Sequence, residues 1–157
     1  MYEILEKKVL SETVKLMKIK APMVAKKAKA GQFIILRIDE EGERIPLTIA
    51  DYDRKKGTVT VIFMEVGKTT RQLGTLNVGD TLLNFAGPLG QPSEIEKFGT
   101  VVCIGGGVGI APLYPIIREL KQVGNYVISI LGARNEKLLM LEEEIEEYSD
   151  ERHICTD

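Results

Sequence analysis

The first two thirds of the chain read as strands and turns. Tyr2–Val9 and Thr13–Ile19 carry the period of two expected for strands buried on one face. Gly31–Ile38 predicts a third strand, closed by the turn segment Asp39-Glu40-Glu41-Gly42. Ile45–Asp51 and Thr58–Glu65 predict the next pair, separated by a polar stretch ending at Gly57. Asp80–Ala86, after the turn-like Asn77-Val78-Gly79, predicts a sixth strand, and Thr69–Leu76 is mixed enough for one short helix. Short strands at regular spacing with glycine-rich turns predict a closed, antiparallel, six-stranded β-barrel over residues 1–97.

The period changes after about residue 98. Thr100-Val101-Val102-Cys103-Ile104 is a continuous apolar run, as expected for a strand buried on both faces of a parallel sheet. A glycine-rich loop follows, then a helical stretch from Ala111 to Gln122 with apolar residues at 113, 116, 117 and 120. Val127–Leu131 predicts a second buried strand, Lys137–Tyr148 a second helix, and His153–Thr156 a third strand. Residues 98–157 thus predict a partial, three-stranded parallel α/β nucleotide-binding domain, the first half of a doubly wound sheet. Without a fourth strand, Val101–Ile104 should present an unpaired apolar edge.

Composition narrows the function classes. The 157 residues are 44% hydrophobic and 28% charged, which excludes an intrinsically disordered chain. Twenty-one basic against 23 acidic side chains leave no electrostatic footprint for nucleic acid or an anionic membrane. No apolar stretch approaches the roughly 20 residues of a membrane-spanning helix, so a cytoplasmic location is expected. Cys103 and Cys155 are too few for a disulfide framework or a four-ligand metal site and read as two buried thiols. His153, the single histidine, reads as surface or boundary packing, and the acids between Glu142 and Glu147 read as a solvated helix face. No metal site is expected.

Three segments carry candidate chemistry. Gly105-Gly106-Gly107-Val108-Gly109-Ile110-Ala111-Pro112 leaves a buried strand and opens a helix, where glycines let backbone approach a pyrophosphate. Its spacing departs from G-x-G-x-x-G, because position 110 is Ile, so a plain tight turn stays open as the other reading. Arg134, after the second parallel strand, could accept a 2′-phosphate, stack on adenine, or sit solvated in its loop. Gly67-Lys68-Thr69 resembles the end of a Walker loop, but that loop needs a glycine at position 62, which is Ile. ATPase or kinase chemistry is therefore unsupported, although a Gly-Lys-Thr-Thr helix start can bind phosphate through backbone N–H groups. Arg44-Ile45-Pro46-Leu47-Thr48-Ile49-Ala50 sets a guanidinium beside a proline and a hydroxyl, which suits phosphate and ring contacts or merely an edge strand.

In order along the chain, Ala30-Gly-Gln-Phe33, Arg44–Asp51, Glu65–Thr70, Gly87-Pro-Leu-Gly-Gln-Pro92, Gly105–Pro112 and Leu131-Gly-Ala-Arg134 form a pattern. It resembles the ferredoxin–NADP reductase-like flavoprotein superfamily. The match is strongest with the small FAD- and NAD-binding subunits of NADH-dependent ferredoxin:NADP oxidoreductases, also known as sulfide dehydrogenase subunits. The resemblance implies that Arg44 pairs with the FAD pyrophosphate, that Pro46 and Leu47 line the flavin, and that Thr48 stands near flavin N5. It further implies that Met64, Glu65 and Val66 follow the ribityl chain or adenosine, and that Gly67, Thr69 and Thr70 hold the pyrophosphate. Gly106, Gly107, Gly109, Ala111 and Pro112 would cradle the NAD(P) pyrophosphate, and Arg134 would meet its adenosine half. In such enzymes the cofactors carry the redox chemistry and the protein aligns them.

The resemblance also implies an electron-transfer subunit that passes electrons between NAD(P)H, FAD and an iron–sulfur centre. The implied partners are a large catalytic flavoprotein or iron–sulfur subunit and, through it, ferredoxin. Proteins of this kind carry a cysteine cluster for a [2Fe–2S] centre near their C-terminus, which these 157 residues lack. The expectation is therefore an N-terminal piece of a longer protein, with little pyridine-nucleotide turnover alone. Two alternatives stand beside it: the electron-transfer subunit of dihydroorotate dehydrogenase, and a non-catalytic β-barrel adaptor.

Overall fold

A computed structural model describes residues 1–157. Seven antiparallel strands form the first sheet: β1 (Tyr2–Val9), β2 (Val14–Lys20), β3 (Phe33–Arg37), β4 (Ile45–Asp53), β5 (Thr58–Met64), β6 (Thr81–Leu82) and β7 (Asn84–Leu89). Their order is β6-β1-β2-β5-β4-β3-β7. The two outermost strands are neighbours in the chain, separated only by Leu83, so the sheet curls back on itself into a nearly closed barrel. The predicted sixth strand is thereby two. At Leu83 the backbone N–H turns to the carbonyls of Arg37 and Ile38, and the chain changes partner from β1 to β3.

Alternation put the right side chains inside. Ile4, Met17, Ile19, Ile34, Leu36, Ile49, Val59, Val61 and Phe63 meet in one core. That core is plugged by a helix the strand pattern did not predict, α1 (Pro22–Lys27), which buries Val24 and Ala25 and starts on a proline. The helix α2 (Lys68–Thr75) covers another side through Leu73. The Lys7 ammonium donates to the Gly74 and Leu76 carbonyls at 2.7 and 2.8 Å, satisfying acceptors that the end of α2 leaves open.

The second sheet is parallel, with order β10-β9-β8: β8 (Thr100–Gly106), β9 (Tyr126–Ala133) and β10 (Glu151–Thr156). One face is covered by α3 (Ile110–Gln122) and by the short α4 (Glu142–Glu147). The expected boundary after residue 97 falls in the segment 90–99, which contains no helix or strand.

Three expectations about this second part need correction. The strand over Thr100–Ile104 is buried on one face only, with Val102 55% and Ile104 71% exposed, because no layer covers the side opposite α3. Its outer edge pairs with no strand. Cys155, read as buried, is exposed because it lies on the outer strand β10, whereas Cys103 is buried. The helix over Lys137–Tyr148 is broken into a turn of 3-10 helix at Glu136–Leu138 and α4, with Leu141 at φ 55° between them. Four successive apolar residues, Leu138 to Leu141, cannot share one helix face. Unwinding lets Leu139, Met140 and Leu141 all reach the core.

The barrel and the parallel sheet share apolar packing. Val14, Ala50 and Ile62, on the outside of the barrel, join Ile110, Ala111, Ile117 and Leu131 in a second core.

Candidate functional site

The floor of a cleft of about 400 Å³ is laid by the facing strands β4 and β5. Pro46, Leu47 and Thr48 come from β4, and Ile62, Phe63 and Met64 from β5. Val66 and Thr70, at the start of α2, close one end, while Val108, Gly109, Ala111 and Pro112 form the opposite wall. The cleft lies within the size range of small-molecule sites and is mostly apolar, with the Thr48 hydroxyl among its few polar groups. Pro46 is tolerated in β4 because the strand pairs with β3 and β5 in different stretches, and Ile35, not a β5 residue, faces it.

At the α2 end of the cleft, backbone donors stand open. Arg71 makes the first backbone bond of the helix, to the Gly67 carbonyl at 3.0 Å, leaving the N–H groups of Lys68, Thr69 and Thr70 without helical acceptors. A side chain on Gly67 would meet no atom within 4 Å, so the backbone there is open to an approaching group. Thr69 Oγ1 donates to Glu43 Oε2 at 3.2 Å, which ties the segment ahead of β4 to the first turn of α2. Arg44 follows Glu43 directly, is exposed, and enters no ion pair. The hydroxyls of both threonines are already used. Thr70 Oγ1 accepts from the Gly67 and Val66 N–H groups at 2.9 and 3.0 Å, leaving backbone donors as the free anion-binding groups.

The Glu65 carboxylate is turned away from this cleft. It pairs with Lys15 and lies so close to Gly74 that a Cβ there would collide with Glu65 Oε1. Of the residues expected along a ribityl chain or adenosine, Met64 and Val66 therefore offer side chains to the cleft and Glu65 does not.

A second cleft, also about 400 Å³, adjoins the first and shares Met64 and Val108 with it. Its other walls are Thr13, Val14, Gly107, Ala133, Arg134, Leu138 and Met140. Gly107 has φ 56°, a conformation that suits glycine, and neither it nor Gly109 would meet an atom within 4 Å if a Cβ were added. Gly106 ends β8 facing the Gly132 carbonyl, 3.7 Å from where its Cβ would be. Gly105 serves packing instead: a Cβ would stand 2.9 Å from Leu113 Cδ2 and 3.3 Å from the Ile110 Cα. Arg134 is exposed on the rim.

The oxidoreductase FAD-binding domain model matches residues 1–93. The chain belongs to that family. The oxidoreductase NAD-binding domain model matches residues 103–156, the segment that contains the glycine loop and Arg134. A relative from Clostridium beijerinckii, an uncharacterised protein of an adh 3′ region, is 49% identical over all of this chain and 55% of its own length. The electron transfer subunit homologue of dihydroorotate dehydrogenase B (NAD⁺) from Thermotoga maritima is 47% identical over 94% of this chain and 52% of its own. The chain thus spans about half the length of the curated relatives it matches. Among solved structures, one of the NADH-dependent reduced ferredoxin–NADP oxidoreductase, studied for flavin-based electron bifurcation, aligns at TM-score 0.97 with 44% identity, over 100% of this chain and 57% of that one. Ferredoxin–NADP⁺ reductase from Plasmodium falciparum, at 16% identity and TM-score 0.82 over 99% of this chain and 69% of that one, shares the fold.

The residues of this FAD-binding oxidoreductase domain fit the group its family binds. An apolar slot runs up to an open helix N-terminus, and Arg44 is next in the chain to Glu43, which bonds Thr69 in the first turn of that helix; an aromatic ring attached to a pyrophosphate requires such a set. An iron–sulfur centre is not accommodated by these residues. Cys103 and Cys155 lie on strands separated by β9, and no group of three or more His, Cys, Asp or Glu side chains converges. Sequence reasoning missed Val108, the only side chain between Gly105 and Gly109, which stands where the two clefts meet. Its isolation among glycines was the available signal. Thr13, Leu138 and Met140 carried no such mark.

Proposed function

We propose that this chain is the FAD-binding and NAD(P)-binding part of an electron-transfer subunit that takes electrons from a nicotinamide cofactor and hands them to a larger catalytic subunit. One observation carries the reading: two clefts of similar size meet edge to edge at Met64 and Val108, so two flat cofactors bound in them would come into contact there. When bound, FAD supplies the redox chemistry, accepting a hydride and releasing electrons one at a time. The protein's part is binding and alignment. Arg44 and the N–H groups of Lys68, Thr69 and Thr70 hold the FAD pyrophosphate; Gly67 leaves room for it. Pro46 and Leu47 flank the flavin, and Thr48, whose hydroxyl is free, is placed to hydrogen-bond near flavin N5. Gly106, Gly107, Gly109, Ala111 and Pro112 admit the nicotinamide cofactor's pyrophosphate, with Arg134 toward its adenosine half.

The reduced-ferredoxin oxidoreductase and the dihydroorotate dehydrogenase relatives both support an electron-transfer role. The relative from Thermotoga favours the second of these as an alternative acceptor system. The test is an absorption spectrum of the purified chain before and after FAD is added, followed by anaerobic addition of NADH or NADPH. Bound flavin with an absorption band perturbed from that of free FAD supports the reading. A chain that stays colourless after FAD and gel filtration overturns it.

A further inference from the structure

Both walls of the first cleft extend beyond it, and their far ends are fastened together. β4 lines the cleft at Pro46–Thr48 and continues to Asp51 and Tyr52. α3 lines it at Ala111 and Pro112 and continues two turns to Arg118 and Glu119. There Arg118 Nη1 donates to Asp51 Oδ1, and the Tyr52 hydroxyl donates to Glu119 Oε1. These are the two hydrogen-bonded contacts that join residues 1–93 to residues 100–157; apart from the stacking around Arg118, the packing between them is apolar.

The clasp is built in depth. The Arg118 guanidinium, with 15% of its side chain exposed, lies 5.3 Å from the Tyr52 ring centre and 5.4 Å from that of Tyr114. Arg54 covers Tyr52 at 4.9 Å from its own side. Cations and aromatic rings therefore alternate from the barrel into the helix, each stacked on the next. A bulge in β4 between Ile49 and Asp51 precedes the clasp, and two consecutive residues, Asp51 and Tyr52, both reach α3. The hydrophobic effect resists separation but is non-directional, so it fixes register less sharply than directed bonds do. A stacked ion pair and a hydrogen bond supply that direction.

We infer that Asp51, Tyr52, Arg118 and Glu119 are positioning residues, which fix the height of α3 over β4 and thereby the spacing between the flavin and nicotinamide clefts. The inference rests on the proposed function for its consequence, though not for its mechanics. Reacting atoms must come within about 3.5 Å, and a displacement of about 1 Å remote from them can cost on the order of 100-fold in rate. A clasp two helical turns from the cleft is well placed to impose or lose such a displacement.

The test uses the full chain with Arg118→Ala, Arg118→Lys and Tyr52→Phe, the last deleting one hydroxyl and so guarding against a misfolded Arg118→Ala protein. FAD affinity should stay within about threefold of wild type, since no clasp residue lines the flavin cleft, while reduction of bound FAD by NADH should slow by about 10- to 100-fold in Arg118→Ala. Arg118→Lys should recover part of the rate, and Tyr52→Phe should slow it less. Hydrogen exchange without cofactors supplies the independent readout: amides of α3 and the 107–110 loop should exchange faster in Arg118→Ala, with β1, β2 and β5 unchanged. Wild-type exchange in α3 of both Arg118→Ala and Tyr52→Phe overturns the clasp. So does wild-type reduction by both variants. If wild-type chain binds no FAD, the functional reading fails, and the exchange result alone decides the clasp.

Discussion

Arg44→Ala isolates the anion-binding half of the flavin site. The guanidinium is exposed and has no intramolecular ion pair, so its removal breaks nothing within the fold, and thermal stability should stay unchanged. Its whole effect should therefore fall on FAD. A charge-assisted bond from a guanidinium to a pyrophosphate is worth about 1.5–3 kcal/mol, which converts to roughly 10- to 150-fold in Kd. The three backbone N–H groups of α2 remain in place, so binding should weaken rather than vanish. Arg44→Lys keeps the charge without the fork and should fall between the two. Because the residue is exposed, the difference should shrink as salt is raised. Titrating FAD against each variant by flavin fluorescence, at two ionic strengths, measures all of this. Equal Kd values for wild type and Arg44→Ala, with equal melting temperatures, would refute the placement of the pyrophosphate beside Arg44.

Four further outcomes follow from particular contacts. Thr70→Ala removes the hydroxyl that accepts from Gly67 and Val66, and should cost about 1 kcal/mol in a denaturant titration. Gly105→Ala forces Leu113 and the start of α3 away from β8; it should lower the melting temperature, whereas Gly109→Ala, which enters open space, should not. Cys155 should react with Ellman's reagent in the native protein, while Cys103, buried and with its thiol pKa raised by that burial, should react only on unfolding. Lys18 and Lys8 hold Glu6 below its ordinary value of 4.5, so its folded pKa lies below its unfolded one. The stability it contributes is present above pH 4.5 and is lost as pH falls through the lower folded value. An acid titration of Glu6→Gln should show a shallower decline there.

Most of the barrel was readable because its strands obey one rule, burial on alternate sides; β5 and the middle of β4, covered on both faces, do not. That rule needs only the order of side chains: Ile4, Met17, Ile19, Ile34 and Leu36 all fell where it put them. The rule fails where a strand changes partner, as at Leu83, and where burial depends on a layer that local pattern cannot reveal, as at Val102, Ile104 and Cys155. The candidate site stood out in the sequence as residue types. Arg44, Gly67, Gly107 and Gly109 are unusual choices for purely structural positions, since free charge and side chains missing from open space gain nothing in packing. Their division of labour did not stand out. The Glu65 carboxylate turns to Lys15 and α2 instead of the cleft, and Gly105, one of the loop glycines, makes room for Leu113.

What the amino-acid order determined by itself was local: periodicity chose strand or helix, glycine and proline marked the turns, and the motif order named the chemistry. What only the tertiary structure decided was relational. Two clefts share Met64 and Val108 because β5 and the glycine loop, more than forty residues apart, are brought edge to edge. Asp51 and Tyr52 meet Arg118 and Glu119 across 67 residues of chain. Such pairings depend on how a twisted barrel packs against a helix, and no side-chain pattern within either segment encodes the angle between them.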